Sequence, residues 1–385
     1  LDELKTRLGR YEETIAGGET VRAFVPPPLP PEPSIDIAGL VGDLSKAERA
    51  LGRLDGVSLM LPNKELFLYM YVRKEAVLSS QIEGTQSTLS DLLRFESEAL
   101  SGQPIDDVRE VSNYVDAMMH GLARLETLPL SLRLLREMHA KLLESGRGGT
   151  KNPGTFRTSQ NWIGGTRPGN ALFVPPPANR VMDCLGDWET YLHDEPSDLP
   201  PLVKAGLLHV QFETIHPFLD GNGRLGRLLI TLYLCSVGVL NQPLLYLSLY
   251  FKTNRPDYYR LLQEVREHGH WEAWLEFFLQ GVAETADAAF DTANAIVALF
   301  GADREKIANE AKGAGSALQI HDAMRTTPYV SAPKATEITG LSMPTVNSAL
   351  EQLQALGVLE EVTGKKRGRV FAYTAYLDVL ADRTG

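Results

Sequence analysis

The chain has 385 residues, 43 % of them hydrophobic, which is enough to bury a substantial core in two or three domains and excludes a disordered protein. Its 38 Lys and Arg against 49 Asp and Glu leave a net charge of −11, so affinity for nucleic acid or anionic membrane has to come from a local patch. The two cysteines, Cys184 and Cys235, stand far apart and outside any zinc-like spacing, and a reducing, cytoplasmic setting is expected.

No secretory signal is read at the start; because the chain begins at Leu1 and not Met, a few native residues are expected to have been trimmed. Residues 1–104 are expected to form an N-terminal helical region. Within it VPPPLPPEP, Val25 to Pro33, enforces an extended strap through fixed proline φ angles and missing N–H groups. From about Leu44, apolar residues recur every three or four positions through ELFLYMYVRKEAVLSSQI, which predicts a helix with one buried face, ended by Gly84.

Residues 105–300 form the expected core. Helical periodicity runs from Val108 to Ser145, gives way to glycines, prolines and β-formers at Pro153–Pro177, read as a β-hairpin or flap, and resumes from Val181 to about Leu299. The most apolar run, LLITLYLCSVGVLNQPLLYLSLYF, is broken by Gly238, Asn241, Gln242 and Pro243, which predicts a buried central helix and no membrane span. Residues 301–314, ending near AKGAGS, are expected to be a linker. Residues 315–385 then read as two helices joined by a glycine turn and followed by a short basic hairpin, the order of a winged helix-turn-helix. The fold class is therefore mainly α.

The densest chemistry lies in HPFLDGNGRLGR, His216 to Arg227. Asp220 to Gly223 predict a turn that delivers the N-terminus of the following helix, with backbone N–H groups of Gly221, Asn222 and Gly223 able to face an anion. Arg224 and Arg227, three apart, share a helical face where guanidiniums clamp phosphate oxygens. Asp220 has the chemistry to hold Mg²⁺ against those phosphates, and His216 that of a proton acceptor near neutral pH. A plain solvated loop is the ordinary reading of a lone GNG, but six residue types coincide here at fixed spacing.

The stretch resembles the Fic family signature HxFx(D/E)GNGRxxR, matched at His216, Phe218, Asp220, Gly221, Asn222, Gly223, Arg224 and Arg227. That resemblance implies a helical enzyme that transfers AMP from ATP to a hydroxyl side chain of a protein. It implies His216 as general base, Asp220 as Mg²⁺ ligand, Gly221 to Arg224 as anion hole, Arg227 on the γ-phosphate and Phe218 as a buried anchor. A kinase-like branch carries lysine at the second motif glycine; Gly223 favours nucleotidyl transfer.

Upstream, Ser79, Glu83 and Gly84 resemble the Fic inhibitory motif (S/T)xxxE(G/N), which implies a carboxylate competing with the γ-phosphate for Arg227 and places the chain in the class whose inhibitory helix precedes the core. GTFRTSQNWIGG resembles the Fic flap, implying a protein substrate held by strand addition and Ile163, Gly164 and Gly165 near the nucleotide. Tyr258 and Tyr259 resemble the pair that lines the adenine and ribose pocket; Arg266 stands where some relatives have Asn.

The predicted second helix of the last domain offers Asn347, Gln352 and Gln354 with Glu351 but no Arg or Lys, and Lys365, Lys366, Arg367 and Arg369 make the following turn basic. DNA is therefore weakly supported as a partner. The rival function is a DNA-binding or protein-docking regulator with a core of low or AMP-removing activity, and a homodimer built through this domain stays open.

Overall fold

The computed structural model describes residues 7–60, 64–96, 105–146, 148–194, 199–365 and 367–381. The expected domain break at 104/105 has its first residue outside them, as does Lys366. The chain opens on an antiparallel hairpin, β1 (Arg10–Ala16) and β2 (Glu19–Val25), in register with Ala16 opposite Glu19. The hairpin was not among the elements expected in this N-terminal helical region. Gly17 and Gly18, at φ +55° and +82°, supply the two positive-φ positions that a two-residue hairpin turn requires. The proline strap follows without regular structure, as expected.

Six helices then build the front of the molecule: α1 (Ile37–Met60), α2 (Lys64–Ile82), α3 (Leu89–Glu96), α4 (Ile105–Leu125), α5 (Leu132–Leu142) and α6 (Val181–Leu192). Gly84 adopts φ +99° just past α2, a conformation that stops a helix. Tyr69 and Arg73 of α2 both bond Glu96 of α3, at 2.8 and 2.6 Å, which braces the outer face of α2.

Between α5 and α6 the expected hairpin forms one isolated bridge, Ile163 with Phe173, and no strand among the described residues. Gly164 and Gly165 at φ near +70°, and prolines at 168 and 175–177, interrupt the ladder on both arms. The arm that returns is instead continued by the N-terminal hairpin, since Phe24 N–H donates to Val174 O at 2.9 Å. Glu19 secures the tip through Arg167 and the Gly169 N–H, at 2.8 and 2.9 Å.

The centre is α7 (Pro201–Ile215) and α8 (Asn222–Ser236), joined by the His216 stretch. Every residue of α7 from Leu202 onward is buried, which is why its sequence is apolar all round and shows little facial periodicity. Gly206 lets it approach α11 (Trp271–Glu310): a Cβ there would meet Leu275 Cδ2 at 2.8 Å, and Trp274 Nε1 donates to the Gly206 carbonyl at 3.1 Å. The long apolar run is the second half of α8, an exposed turn at Val237 and Gly238, and α9 (Ser248–Thr253), with the leucines on either side of the turn in the core. This breaks the single predicted helix into two. Then α10 (Arg255–His268) leads into α11, against which α1 lies.

The segment expected as a linker is helical through residue 310, because α11 continues to Glu310 with Phe300 and Ile307 still buried. Only Ala311 to Gly313 separate it from α12 (Ala314–Ala323). The remaining elements are β3 (Tyr329–Ser331), α13 (Ala332–Thr339), α14 (Met343–Ala355), β4 (Glu360–Glu361), β5 (Val370–Ala372) and α15 (Thr374–Ala381), with the antiparallel sheet ordered β3-β5-β4. Phe300 of α11 packs edge-on against Tyr373 and Tyr376, tying this last module to the long helix. No helix among the described residues is long and apolar enough to cross a membrane.

Candidate active site

The His216 stretch is a bridge between two buried helices, and its backbone is held at several points. His216 caps α7 in the left-handed region at φ +49°, a conformation that costs energy outside glycine and persists only where the surroundings impose it. Arg157, 3 % exposed, imposes it: its guanidinium donates to the carbonyls of His216 (2.9 Å), Ile215 (3.3 Å), Pro176 (2.6 Å) and Ser159 (3.2 Å). Asn222 closes the loop from within, its amide taking the Phe218 N–H and giving to the Phe218 carbonyl, both at 2.9 Å. Phe218 is fully buried, the anchor expected from the sequence.

Gly221 at φ +77° is the N-cap of α8. Its N–H is engaged by Asp220 Oδ1 at 2.6 Å, so the first-turn N–H groups left for an anion are those of Asn222, Gly223 and Arg224. Asn222 contributes backbone only, since its side chain is spent on the loop.

Directly over this helix end lies a carboxylate. A Cβ at Gly223 would stand 2.3 Å from Glu83 Oε1, so only glycine leaves room for it. Glu83 pairs with Arg227 Nη2 at 2.7 Å, and the same guanidinium donates from Nε to Ser79 Oγ and from Nη2 to the Ser79 carbonyl, both at 2.9 Å. Burial pushes the Glu83 carboxyl up, but the charge and hydrogen bond of Arg227, with Arg224 and His216 nearby, outweigh it and hold the group below its ordinary range. Gly84 sets the turn that brings Glu83 there.

Arg224 is 4 % exposed and bonded to Glu110 Oε2 at 3.3 Å, with Asp220 Oδ1 at 3.7 Å. Glu110, His216, Asp220, Glu83 and the α8 N-terminus line one cleft of about 300 Å³. Burial, aided by the charges of Arg157 and Arg266, lowers His216 to about 3, so its imidazole is a neutral base at pH 7. Among the described residues no three His, Cys, Asp or Glu cluster as a metal site, and a divalent cation at Asp220 would draw most of its ligands from phosphate. A glycine-floored helix end, two buried arginines and one half-exposed carboxylate fit a nucleotide phosphate chain with Mg²⁺.

The expected tyrosine pair lies close enough to feel the charges of Glu83 and Arg227. Ile163, Gly164 and Gly165 do not line this cleft. Tyr258 is 1 % exposed, its hydroxyl bonded to His209 Nε2 at 2.9 Å, while Tyr259 is 41 % exposed. Arg266 bonds Thr214 Oγ1 and the Glu213 carbonyl, both at 3.2 Å, and lies 4.0 Å over the Phe173 ring. Sequence reasoning missed Glu110, His139 and Arg157. Arg157 lay in the quoted flap segment, but nothing about a lone arginine there announces four carbonyl partners.

Residues 129–234 match the Fic/DOC family model, and residues 41–123 match the Fic/DOC family N-terminal model. These two regions are thus similar in sequence to the Fic/DOC family, and the second is related to the domain of protein adenylyltransferases. It is 30 % identical over 210 residues to the protein adenylyltransferase Fic of Drosophila grimshawi, covering 54 % of this chain and 40 % of that protein. The relative of the same name from Drosophila willistoni is 30 % identical, with 54 % and 39 % covered. The chain thus spans about 40 % of the length of these relatives. In fold it is similar to a Fic family protein from Desulfovibrio desulfuricans G20, with TM-score 0.57, 20 % identity, and 89 % and 97 % of the two chains covered. A Fic domain containing signaling protein from Bacteroides thetaiotaomicron VPI-5482 aligns with TM-score 0.51, 18 % identity, and 65 % and 97 % covered.

Proposed function

We propose that this protein transfers AMP from ATP to a hydroxyl side chain of a protein, with auto-AMPylation as the accessible readout, and that Glu83 restrains the reaction. The observation that carries the reading is the shared guanidinium: Arg227, beside the α8 N-terminus and His216, is held by Ser79 and Glu83 from an upstream helix. In this reading the hydroxyl oxygen of the target bonds to the α-phosphorus, the bond from that phosphorus to the pyrophosphate oxygen breaks, and His216 takes the hydroxyl proton. Asp220 would hold Mg²⁺, and the ion would supply charge neutralisation for the phosphates. Asn222, Gly223 and Arg224 N–H groups with the Arg224 guanidinium receive phosphate oxygens, and Arg227 receives the γ-phosphate once Glu83 leaves it.

Gly223 supports nucleotidyl transfer over phosphoryl transfer through the resemblance, which puts lysine at this position in the kinase-like branch; here a side chain would also enter the space of Glu83. The flap is assigned the protein substrate and Tyr259 the adenine side; Ile163 to Gly165 and Tyr258 keep those roles as proposals. Two free cysteines accord with a cytoplasmic setting. Incubating the protein with ATP and mapping modified peptides by mass spectrometry tests the reaction. An AMP adduct on Ser, Thr or Tyr, with pyrophosphate released, is expected. A phosphate adduct, or none from Glu83→Gly, contradicts it.

A second reading concerns the last module. We assign α12 to α14 with the β3-β5-β4 sheet to a winged helix that docks protein or a second copy of this chain. Glu351 on α14 bonds Arg369 of the basic turn at 3.1 Å, so this acidic group sits where a DNA reader would present cations. A gel shift with genomic fragments, lost on deleting residues 315–385, would reverse this preference, and the oligomeric state scores the homodimer.

A further inference from the structure

The loop from His216 to Asn222 is held from outside at both ends. Arg157 grips the His216 carbonyl at one end; at the other the Asp220 carbonyl accepts from Nε2 of His139, on α5, at 3.0 Å. The other ring nitrogen, Nδ1, accepts the Gly154 N–H at 2.8 Å. A backbone N–H can only donate, so Nδ1 carries the lone pair and Nε2 the proton, and the ring has one tautomer available. The imidazole is fully buried and stacks on Phe218 with centroids 3.7 Å apart and planes 9° from parallel.

These contacts converge on one residue. The Asp220 carboxylate bonds its neighbour's N–H, and the backbone of Asp220 is held by His139, whose second bond reaches Gly154 at the root of the flap. We propose that His139 is a positioning residue that sets the Asp220 carboxylate for Mg²⁺, and thereby couples metal affinity to the packing of α5 against the motif loop. The proposal rests on the AMP-transfer reading above. It assigns His139 no contact with nucleotide or metal.

The test is Mg²⁺-dependent ATP binding by titration calorimetry in the Glu83→Gly protein, with thermal unfolding alongside. His139→Phe keeps the stack on Phe218 and removes both hydrogen bonds; it is expected to raise the Mg²⁺ concentration for half-maximal binding about tenfold, the scale of losing an outer partner of a metal ligand. His139→Gln, which keeps a donor toward Asp220, is expected to raise it about threefold. A folded His139→Phe protein with the parent's Mg²⁺ dependence overturns the inference. If that variant does not fold, a His139→Gln protein with unchanged Mg²⁺ dependence and a lowered melting temperature overturns it equally. A Glu83→Gly parent that binds no ATP with Mg²⁺ overturns the AMP-transfer reading and this inference together, so the two failures are distinct.

Discussion

The floor and the cover of the cleft are built differently. Below, His139, Arg157, Asn222 and Phe218 hold the motif loop through buried contacts, most of them to backbone carbonyls, which are strong when desolvated and costly to break singly. Above, the covering group is one side chain, Glu83, 37 % exposed and held to Arg227 by a single 2.7 Å contact. Arg227 is buried but Glu83 is open to water on one side, so another anion can reach the guanidinium and take the place of the carboxylate. The difference teaches how one site can be preorganised for chemistry and still be closed: rigidity lies where the reacting groups must not move, and access lies where a phosphate must displace a carboxylate.

The largest expected effect falls where floor and cover meet. His216→Ala, made in the Glu83→Gly protein, is expected to lower AMP transfer by about 10²- to 10⁴-fold, the usual contribution of a positioned base, measured as initial rate of labelling. Phe218→Ala probes the floor alone: emptying that fully buried site is expected to cost about 3–5 kcal/mol of stability in a denaturant titration. Glu83→Gly probes the cover alone. It is expected to raise transfer by about 5- to 150-fold, the range of a single coupled contact, while the denaturation midpoint stays close to that of wild type. A large loss of stability on Glu83→Gly would erase the contrast between the two regions.

The smallest effect concerns pH. His216 has an ordinary value of 6.5 lowered to about 3, so the folded base stays unprotonated where a solvated histidine would gain a proton. The rate of the Glu83→Gly protein is expected to hold from about pH 8 down to about pH 6, without the half-loss at pH 6.5 of an unperturbed imidazole. The same depression makes unfolding take up protons. This contribution to stability is complete above pH 6.5 and is lost as pH falls toward 3. A pH–rate profile with an inflection at 6.5 would place His216 in water.

Most of the helices were legible in the sequence because periodicity marks buried faces, and the contact between Glu83 and Arg227 was expected only through the resemblance of their two motifs to those of the Fic family. The N-terminal hairpin was not seen, although RYEETIAGGETVRAFV alternates around Gly17-Gly18 as a hairpin should. The glycine near residue 313 drew the linker too early, since α11 holds its register on Phe300 and Ile307. What the motif could not reveal was its support. His139 in LLREMHAKLL reads as any histidine on an apolar face, and its partners, Asp220 and Gly154, lie 81 and 15 residues away. Tyr258 likewise has a partner the pattern did not name: its hydroxyl is engaged by His209 within the aromatic core.

The central claim is that Glu83 and the γ-phosphate compete for Arg227. It is tested most directly by incorporation of label from α-labelled ATP into the protein itself, comparing wild type, Glu83→Gly and the Glu83→Gly, His216→Ala double variant under the same Mg²⁺. The account predicts weak labelling of the first, strong labelling of the second and none of the third. Equal labelling of wild type and Glu83→Gly would contradict it.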